Sequence, residues 1–502
     1  MISIYIYEGE IMKRFVSLLA SLFILLPFLR LPEAGAVGFP YKNKLNSESA
    51  LLVSLDTNEV LTEKNADTPQ CPGPLVNIMT AVIVLENCKD LNEQLTLDPE
   101  VYTPVYYEIP VPEDLPHVEV SDNDELTIKD LLYCMMLTSS IEASETLADH
   151  FGKQFMSSED GSVERPSTIF VKKMNEKAQE LGLTSTKFTN AHGMHDPEQY
   201  TTARDLAKLT EYALNVPHFR EIATAATYQP AVPNATRHPN RDKWVWNHSN
   251  LMMDDQDPDN EYYFMGAKGI KTSNLEATGR SIVTIASKNG YNYLAVLLKA
   301  PFKTDDGESR FCHLDDASNL LNWAFQHFSK QELLAATAEM GEKPVKLADN
   351  GGKNYVIARP KESVERLWCD EVDTSLINKD KIIWYKDEFQ APVKSGDALG
   401  SVTLVYAGEE LATVELVAVS DVDRSKTKYN IEVAKRFHKS EWFRNAVKIS
   451  IILCIVYIII CIYALIIFKS NKKPLKPIYA VPKLDKKKKK KKRPDNDRMN
   501  RQ

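Results

Sequence analysis

The sequence predicts an α/β (α+β) domain, a small all-β sandwich domain after it, and one membrane-spanning helix near the C-terminus. Three observations support this order. Strand-like and helix-like stretches alternate over residues 37–330, β-rich runs dominate residues 340–425, and Ile449–Phe468 is almost wholly apolar. The 502 residues include 43% apolar and 26% charged side chains, which suits several globular domains and excludes a disordered or fibrous chain.

Residues 1–36 have the pattern of an export signal. Two basic residues precede an apolar run, Phe15–Phe28, and Ala34-Gly35-Ala36 offers the small residues that a signal peptidase accepts. Met12 is an alternative start, because the residues before it fit the signal pattern poorly. An uncleaved N-terminal anchor is the other interpretation.

In the first domain, short apolar runs beside turn residues predict strands, and runs with a 3.6-residue period predict helices. Asp56-Thr57-Asn58 is a turn signal, and Lys288-Asn289-Gly290 is a hairpin signal. Thr202, with Asp205 three residues later, predicts the start of a helix. The expected strands are Ala50–Leu55, a partner from Val60, Ser281–Ala286 and Tyr293–Lys299, and the expected helical runs are Ile78–Leu85, Leu126–Phe151 and the run after Thr202.

The second domain is predicted from two β-rich runs, Ser401–Tyr406 and Leu411–Ala418, which flank a turn at residues 407–410. A small sandwich accommodates such strands. Residues 426–448 are polar and predict a helical connector between this domain and the apolar run that follows.

The apolar run Ile449–Phe468 is 20 residues long, enough to cross a bilayer core of about 30 Å. The tail at 469–502 is strongly basic and includes seven consecutive lysines, Lys486–Lys492. By the positive-inside rule this tail is cytoplasmic and the two domains lie outside. The lysine run is either a solvated stop-transfer signal or a contact for anionic lipid.

Charge and cysteine content narrow the class of protein further. Residues 37–468 carry a net charge of −20 and the tail carries +12, so we expect no nucleic-acid binding by the exported part. Five cysteines lie outside the predicted span, an odd number, so at least one stays unpaired within the chain. A Cys71–Cys88 disulfide and buried free thiols are both open.

Several blocks of the sequence resemble the penicillin-binding D-alanyl-D-alanine carboxypeptidases. The resemblance implies a β-lactamase/transpeptidase-like fold for residues 37–330, the family's β-rich second domain for 340–425, and a role in peptidoglycan metabolism. The blocks are Leu52–Asp56, Glu63–Asp67, Ile78–Ala81, Asp130–Tyr133, Leu147-Ala148, Asn190–Asp196, Tyr200–Ala203, Gly269–Thr272 and Ala391–Asp397.

The chemistry of that family depends on three motifs, and this sequence departs from each of them. Where Ser-x-x-Lys supplies a nucleophile and a base, the chain has Pro74 and Asn77, neither of which can do that chemistry. Where Ser-x-Asn supplies a shuttling hydroxyl and an amide, Ser139 is followed by Ile141 at the amide position. Where Lys-Thr-Gly binds the substrate carboxylate, Ser273 replaces the glycine.

The candidates for substrate binding are Lys271, Thr272, Ser273 and Ser139. Lys271 is either an anchor for a substrate carboxylate or a solvated or salt-bridged strand lysine. Ser139 aligns with the family's proton-shuttling serine, and without a basic partner its hydroxyl is a weak nucleophile.

The block at Asn190–Asp196 contains His192, His195 and Asp196, which could suggest a metal site. The histidine spacing does not place two ligands one helical turn apart, and Gly193 favours a loop. We predict no metal and no other cofactor.

The simultaneous loss of nucleophile, base and amide predicts a catalytically inactive relative of the carboxypeptidases, anchored once in the bacterial cell membrane with its ectodomain outside. We expect it to bind peptidoglycan stem peptides or another envelope protein, and to contact the membrane through Ile449–Phe468. The alternative is an active carboxypeptidase that uses a non-standard nucleophile. A third hypothesis is a structural adaptor with an occluded cleft.

Overall fold

The computed structural model describes residues 38–108, 120, 122–156, 164–230, 245–349 and 351–470. The predicted export signal at 1–36 and the basic tail beyond Ser470 lie outside the described residues. The chain divides into two compact units. The first holds the residues up to 344 with 355–389 and 393–421, and the second holds 345–354, 390–392 and the residues from 422 onward.

The described residues form ten α-helices, and a 3₁₀ turn at Gly73–Val76 leads into the first of them. In chain order the helices are α1 (Asn77–Asn87), α2 (Pro99–Glu108), α3 (Ile128–Thr138), α4 (Ile141–Phe155), α5 (Pro166–Glu180), α6 (Ala203–Ala213), α7 (Phe219–Ala223), α8 (Cys312–His327), α9 (Lys426–Lys439) and α10 (Glu441–Ser470).

Nine strands of the described residues precede α8, and the other eight follow one another between α8 and α9. They are β1 (Ser49–Ser54), β2 (Glu59–Lys64), β3 (Gln94–Thr96), β4 (Glu125–Thr127), β5 (Thr227–Tyr228), β6 (Trp246–Asn247), β7 (Ala267–Leu275), β8 (Gly279–Lys288), β9 (Tyr291–Ala300), β10 (Phe328–Leu334), β11 (Gly341–Lys346), β12 (Tyr355–Pro360), β13 (Val364–Cys369), β14 (Asn378–Trp384), β15 (Phe389–Gln390), β16 (Ala398–Tyr406) and β17 (Glu409–Ala418).

The first domain is built on an antiparallel sheet in the order β2-β1-β9-β8-β7. Every residue of β1 is buried, so both faces of the sheet are covered. Helix α6 packs against β1 and β9, and α8 packs against β8 and β9. The predicted β1–β2 and β8–β9 hairpins are confirmed, and so is the cap of α6, where the Thr202 hydroxyl accepts from the Asp205 N–H at 3.0 Å.

The periodic stretch Leu126–Phe151 is interrupted, which the sequence did not predict. Helix α3 ends at Thr138 and α4 begins at Ile141. Ser139 has a φ of 65°, in the left-handed region, and the Ser140 hydroxyl caps α4 by accepting from the Ala143 N–H at 3.1 Å. Both helices bury apolar side chains in one core, so the hydrophobic period carries no sign of the break.

The β-rich part begins earlier in the chain than the predicted range 340–425. Strand β10 starts at Phe328 and pairs with β13. The other strands form a sheet in the order β14-β16-β17-β12-β11-β15. The predicted turn at 407–410 is shorter in the structure, because β17 begins at Glu409 and leaves only Ala407 and Gly408 between the strands.

Two consecutive helices end the described chain. The predicted connector 426–448 is helical, but it is divided: α9 ends at Lys439 and α10 begins at Glu441. Helix α10 contains the predicted span Ile449–Phe468, and its most apolar window has a mean hydropathy of 3.3 with none of it buried. It is therefore long and apolar enough to cross a membrane.

Candidate functional site

The start of α1 carries the residues that stand at the family's first motif. Pro74 is buried in the 3₁₀ turn, a position that tolerates proline because its missing N–H would have no partner there. Asn77 is the first residue of α1 and is fully buried; its Nδ2 donates to Ser144 Oγ at 3.3 Å and to the Ala191 carbonyl at 3.1 Å. Asn77 Oδ1 has no hydrogen-bond partner among the described residues. Neither side chain offers a nucleophile or a base.

The second motif lies in the turn between α3 and α4. Ser139 is half-buried and reaches the cleft, whereas the Ser140 hydroxyl donates to Glu142 Oε2 at 2.7 Å while it caps α4. Ile141 is 4% exposed and belongs to the first turn of α4. The amide of the family motif is thus replaced by a buried apolar side chain.

The side chain of Lys271, on β7, is completely buried, so it is not the solvated strand lysine that one interpretation predicted. Its Nζ lies 3.0 Å from the Met135 carbonyl, 2.9 Å from the Met136 carbonyl and 2.6 Å from Ser139 Oγ. Burial lowers the pKa of this amine to about 7. The basic partner that the sequence did not find for Ser139 is therefore present, 132 residues away along the chain.

Ser273 also lies on β7, and its side chain packs on the turn before α1. A Cβ placed on Gly73 would lie 2.4 Å from Ser273 Oγ, so the two residues are in close contact. The Ser273 hydroxyl is buried and has no hydrogen-bond partner among the described residues. A glycine at 273, as in the family motif, would leave this space beside Gly73 open.

These elements surround a cleft of about 240 Å³. None of the described residues that line it is acidic. One part of the wall is apolar and the other is polar. The lining residues are Pro74, Leu251, Leu275, Phe311 and Leu314, together with Ser139, Ser249, Thr272, Asn274 and His313.

Because side chains alternate along β7, only some of the predicted binding residues of this strand line the cleft. Thr272 lines the cleft, and its hydroxyl lies 2.6 Å from Ser249 Oγ, but Lys271 and Ser273 are not among the lining residues. Asn274 also lines the cleft, and sequence analysis missed it, although alternation from Thr272 along a strand would have pointed to it.

A buried cation lies behind the cleft wall. Arg280 is 8% exposed, and its guanidinium carbon lies 4.3 Å from the centre of the Phe302 ring and 4.2 Å from that of Phe311. Its Nε donates to Asn274 Oδ1 at 2.8 Å. This arginine gives the uncharged polar wall a positive background, which suits an anionic ligand group. No pattern in the sequence identifies Arg280.

The Asn190–Asp196 block supports the site structurally. A Cβ on Gly193 would lie 2.4 Å from the Gly73 carbonyl oxygen, so this loop packs directly on the turn that holds Pro74. His192 is buried, and burial lowers its pKa to about 3. His195 is exposed, and its Nδ1 lies 3.5 Å from Cys71 Sγ. In the described part of the chain, no group of three or more histidine, cysteine, aspartate and glutamate side chains could hold a metal ion.

The cysteines outside the predicted span are free thiols in the structure, including Cys71 and Cys88. The disulfide that the sequence left open between these two residues is therefore not formed.

The burial of Lys271 gives a testable dependence of stability on pH. In the unfolded chain this amine has its ordinary pKa of 10.5, and in the folded chain about 7. Between these values the unfolded state binds a proton that the folded state does not, so folding becomes more favourable as pH rises. We expect the free energy of unfolding, relative to a Lys271→Met variant, to rise by up to roughly 1.4 kcal/mol per pH unit from pH 7 to 10.

Urea unfolding of the full chain in detergent at pH 7, 8, 9 and 10, followed by tryptophan fluorescence, measures this difference. Lys268→Met is the matched control, since Lys268 is on the same strand but exposed. A pH-independent difference between the unaltered chain and Lys271→Met would contradict a lowered pKa at Lys271.

The first domain combines a sheet with helices and carries the three motif positions around one cleft, and a β-rich domain follows it. This arrangement defines a protein of the serine D-alanyl-D-alanine carboxypeptidase class. Residues 37–302 match the family model described as D-alanyl-D-alanine carboxypeptidase, and residues 328–424 match the C-terminal domain of penicillin-binding protein 5. The first match covers more than half of the chain. The chain therefore belongs to the D-alanyl-D-alanine carboxypeptidase family, whose members act in cell-wall metabolism.

Similar proteins extend over both domains. The D-alanyl-D-alanine carboxypeptidase DacF of Bacillus subtilis is 26% identical over 420 residues, which cover 82% of this chain and 96% of the relative. DacA of Haemophilus influenzae is 24% identical over 394 residues, covering 76% and 86% of the two chains. The crystal structure of the carboxypeptidase DacD from Francisella tularensis matches with a TM-score of 0.53 at 19% identity, covering 79% of this chain and 98% of that one, and supports the fold.

Proposed function

We propose that this protein binds carboxylate-terminated peptides of the cell wall and has lost the hydrolytic reaction of its family. The observation that carries the proposal is the chemistry at the start of α1, where Pro74 and Asn77 occupy the positions of the nucleophile and the base. Asn77 is held by hydrogen bonds to Ser144 and Ala191, so it is an integrated part of the core. In a dissected serine peptidase, removing the catalytic unit costs about 10⁶-fold in turnover.

The lining of the cleft supports the proposal that the protein binds carboxylate-terminated peptides. The hydroxyls of Ser139, Ser249 and Thr272 can hydrogen-bond a carboxylate or a peptide group, and buried Arg280 supplies positive charge behind them. The apolar part of the lining suits small aliphatic side chains. The volume of about 240 Å³ fits the end of a peptide rather than a larger ligand.

The same proposal places the protein in the bacterial cell membrane, held by α10, with both domains outside and the basic tail in the cytoplasm. The apolar length of α10 supports the anchor, and the lysine-rich tail supports the orientation. In this arrangement the cleft faces peptidoglycan stem peptides. Another envelope protein is the alternative partner, bound by the surface of the ectodomain instead of the cleft.

We expect the full chain in detergent to bind an acylated D-alanyl-D-alanine peptide and to release no D-alanine from it. A Thr272→Val variant should bind about 10-fold or more weakly, since a hydrogen bond to a charged group contributes about 1.5–3 kcal/mol. Isothermal titration gives the affinities, and chromatography of the supernatant gives D-alanine.

The C-terminally amidated peptide is the matched control, because it keeps every atom of the ligand except the anionic oxygen. Equal affinity for the acid and the amide would argue against carboxylate recognition. Continuous release of D-alanine would show that the protein is an active carboxypeptidase. Binding of neither peptide would favour the adaptor with an occluded cleft.

A further inference from the structure

The amine of Lys271 has three polar neighbours in the structure, and they are not equivalent. Two are the backbone carbonyls of Met135 and Met136, at 3.0 and 2.9 Å, which can only accept hydrogen bonds. The third, Ser139 Oγ at 2.6 Å, is a hydroxyl and can also donate. A neutral amine has two N–H bonds and one lone pair. If both N–H bonds donate to the carbonyls, the lone pair faces the serine hydroxyl.

The position of Ser139 suits a nucleophile. It is half-buried, lines the cleft beside Pro74, and has a left-handed φ of 65°, a conformation that costs a non-glycine residue free energy. It lies in the turn between α3 and α4, two residues before the first residue of α4. The serine therefore combines access to ligand with a neighbouring base.

We infer that Ser139 and Lys271 form a nucleophile–base pair, so that the Ser139 hydroxyl accepts an acyl group from a strained or activated acyl donor that carries a carboxylate. The inference rests on the proposed function, because the cleft would hold the acyl donor by its carboxylate. The reacting residue is Ser139 and not residue 74, where the family has its nucleophile and this chain has Pro74.

The reaction with a β-lactam conserves atoms and charge. Ser139 Oγ attacks the lactam carbonyl carbon, the Oγ–C bond forms, and the ring C–N bond breaks. The proton of the hydroxyl passes to the Lys271 amine and from there to the released ring nitrogen. The product is an ester of Ser139, and the amine is again neutral. No oxidant, metal or second reactant takes part.

Burial, rather than a neighbouring charge, favours the neutral amine. Cys134 on α3 and His248 beside β6 are the titratable groups that interact with Lys271; burial raises the pKa of the thiol to about 12 and lowers that of the imidazole to about 3. Both are uncharged near neutral pH. Glu142 on α4 accepts from the Ser140 hydroxyl at 2.7 Å, so this carboxylate is engaged with the neighbouring serine. Burial lowers the pKa of Lys271 itself to about 7.

The experiment incubates the full chain in detergent with a fluorescent penicillin, a strained cyclic amide with a carboxylate, and locates the adduct by mass spectrometry of peptides. We expect one adduct, on the peptide that contains Ser139, and none in a Ser139→Ala variant. In Lys271→Met the rate should fall about 10²-fold or more, the usual contribution of a general base. Lys268→Met, on the same strand, should label at the unaltered rate.

The pH dependence of labelling tests the pair in the unaltered protein, without a substitution that could disturb folding. The rate should rise about tenfold per pH unit below pH 7 and become constant above it, because only the neutral amine accepts a proton. Absence of any adduct, an adduct on another residue, or a rate independent of pH would each overturn the inference.

These outcomes are distinct from a failure of the proposed function. If the acylated D-alanyl-D-alanine peptide binds but no adduct forms on Ser139, the inference is wrong and the proposed binding stands. If an adduct forms on Ser139 and D-alanine is also released continuously, the inference stands and the proposed loss of hydrolysis is wrong.

Discussion

A variant with Pro74→Ser, Asn77→Lys, Ile141→Asn and Ser273→Gly is expected to be acylated by a penicillin at residue 74. The double variant Pro74→Ser/Asn77→Lys is expected to react there at least about 10³-fold more slowly, because the parts of a catalytic unit do not contribute independently. Both variants keep the same scaffold, so the comparison separates the lost nucleophile and base from the changes around them.

The physical reason lies in the space around the turn at residues 73–76. Ser273 is in close contact with Gly73, and its hydroxyl is buried. A serine restored at 74 would belong to the turn on which Ser273 packs, although Ser273 itself does not line the cleft. Ile141 supplies no amide to hold the ligand backbone. Restoring the first motif alone therefore returns the reacting atoms without the amide and the glycine that the family motifs place around them.

Peptide mapping of the fluorescent adduct measures the rate at residue 74 separately from any reaction at Ser139. Thermal unfolding of each variant shows whether it is folded. Equal rates in the double and the quadruple variants would mean that Ser273 and Ile141 do not obstruct acylation. A folded quadruple variant that does not react at residue 74 would contradict the interpretation that these four positions account for the proposed loss of hydrolysis.

Gly193→Ala is expected to lower the free energy of unfolding by more than roughly 3 kcal/mol, a large loss for one methyl group. Gly193 has a φ of 85°, and an alanine Cβ would lie 2.4 Å from the Gly73 carbonyl oxygen and 2.5 Å from Pro74 Cα. Both atoms belong to the backbone, so they can move away only if the turn before α1 shifts. We therefore also expect weaker peptide binding in this variant.

Gly182→Ala is the matched control for backbone conformation. Gly182 has a φ of 69°, also left-handed, but no atom lies within 4 Å of an added Cβ. Its replacement should cost only about 1–2 kcal/mol, the strain of the left-handed conformation. The midpoint and slope of urea unfolding give both values. Similar losses in the two variants would show that the contact between Gly193 and Gly73 is not as tight as described.

The sequence predicts the fold well where local chemistry decides the structure. The hairpin turn at Asn289-Gly290 and the Thr202 cap each depend on residues close together in the chain, and the structure confirms both. The break at Ser139 was missed because both helices bury apolar side chains in one core, so the hydrophobic period continues across it. Periodicity alone therefore predicted one uninterrupted stretch.

The candidate site was likewise predictable where it depends on motif positions in the sequence and not where it depends on the tertiary fold. Motif alignment located Ser139 and Thr272 in the cleft, since a family resemblance carries positions along the sequence. The contact between Lys271 and Ser139 joins residues 132 positions apart, and the placement of Arg280 depends on two aromatic rings. Such partners arise from the tertiary fold. For the same reason the sequence could not show that Lys271 is buried.

The contact between Ser273 and Gly73 also bears on how the proposed loss of hydrolysis would be reversed. The side chain of Ser273 packs on the turn that carries the first motif, and Asn77 and Ile141 are buried as well. Under the proposed function, a serine regained at 74 alone leaves the base, the amide and the glycine of the family motifs missing. Recovery of the reaction then needs several substitutions together, each at a buried position.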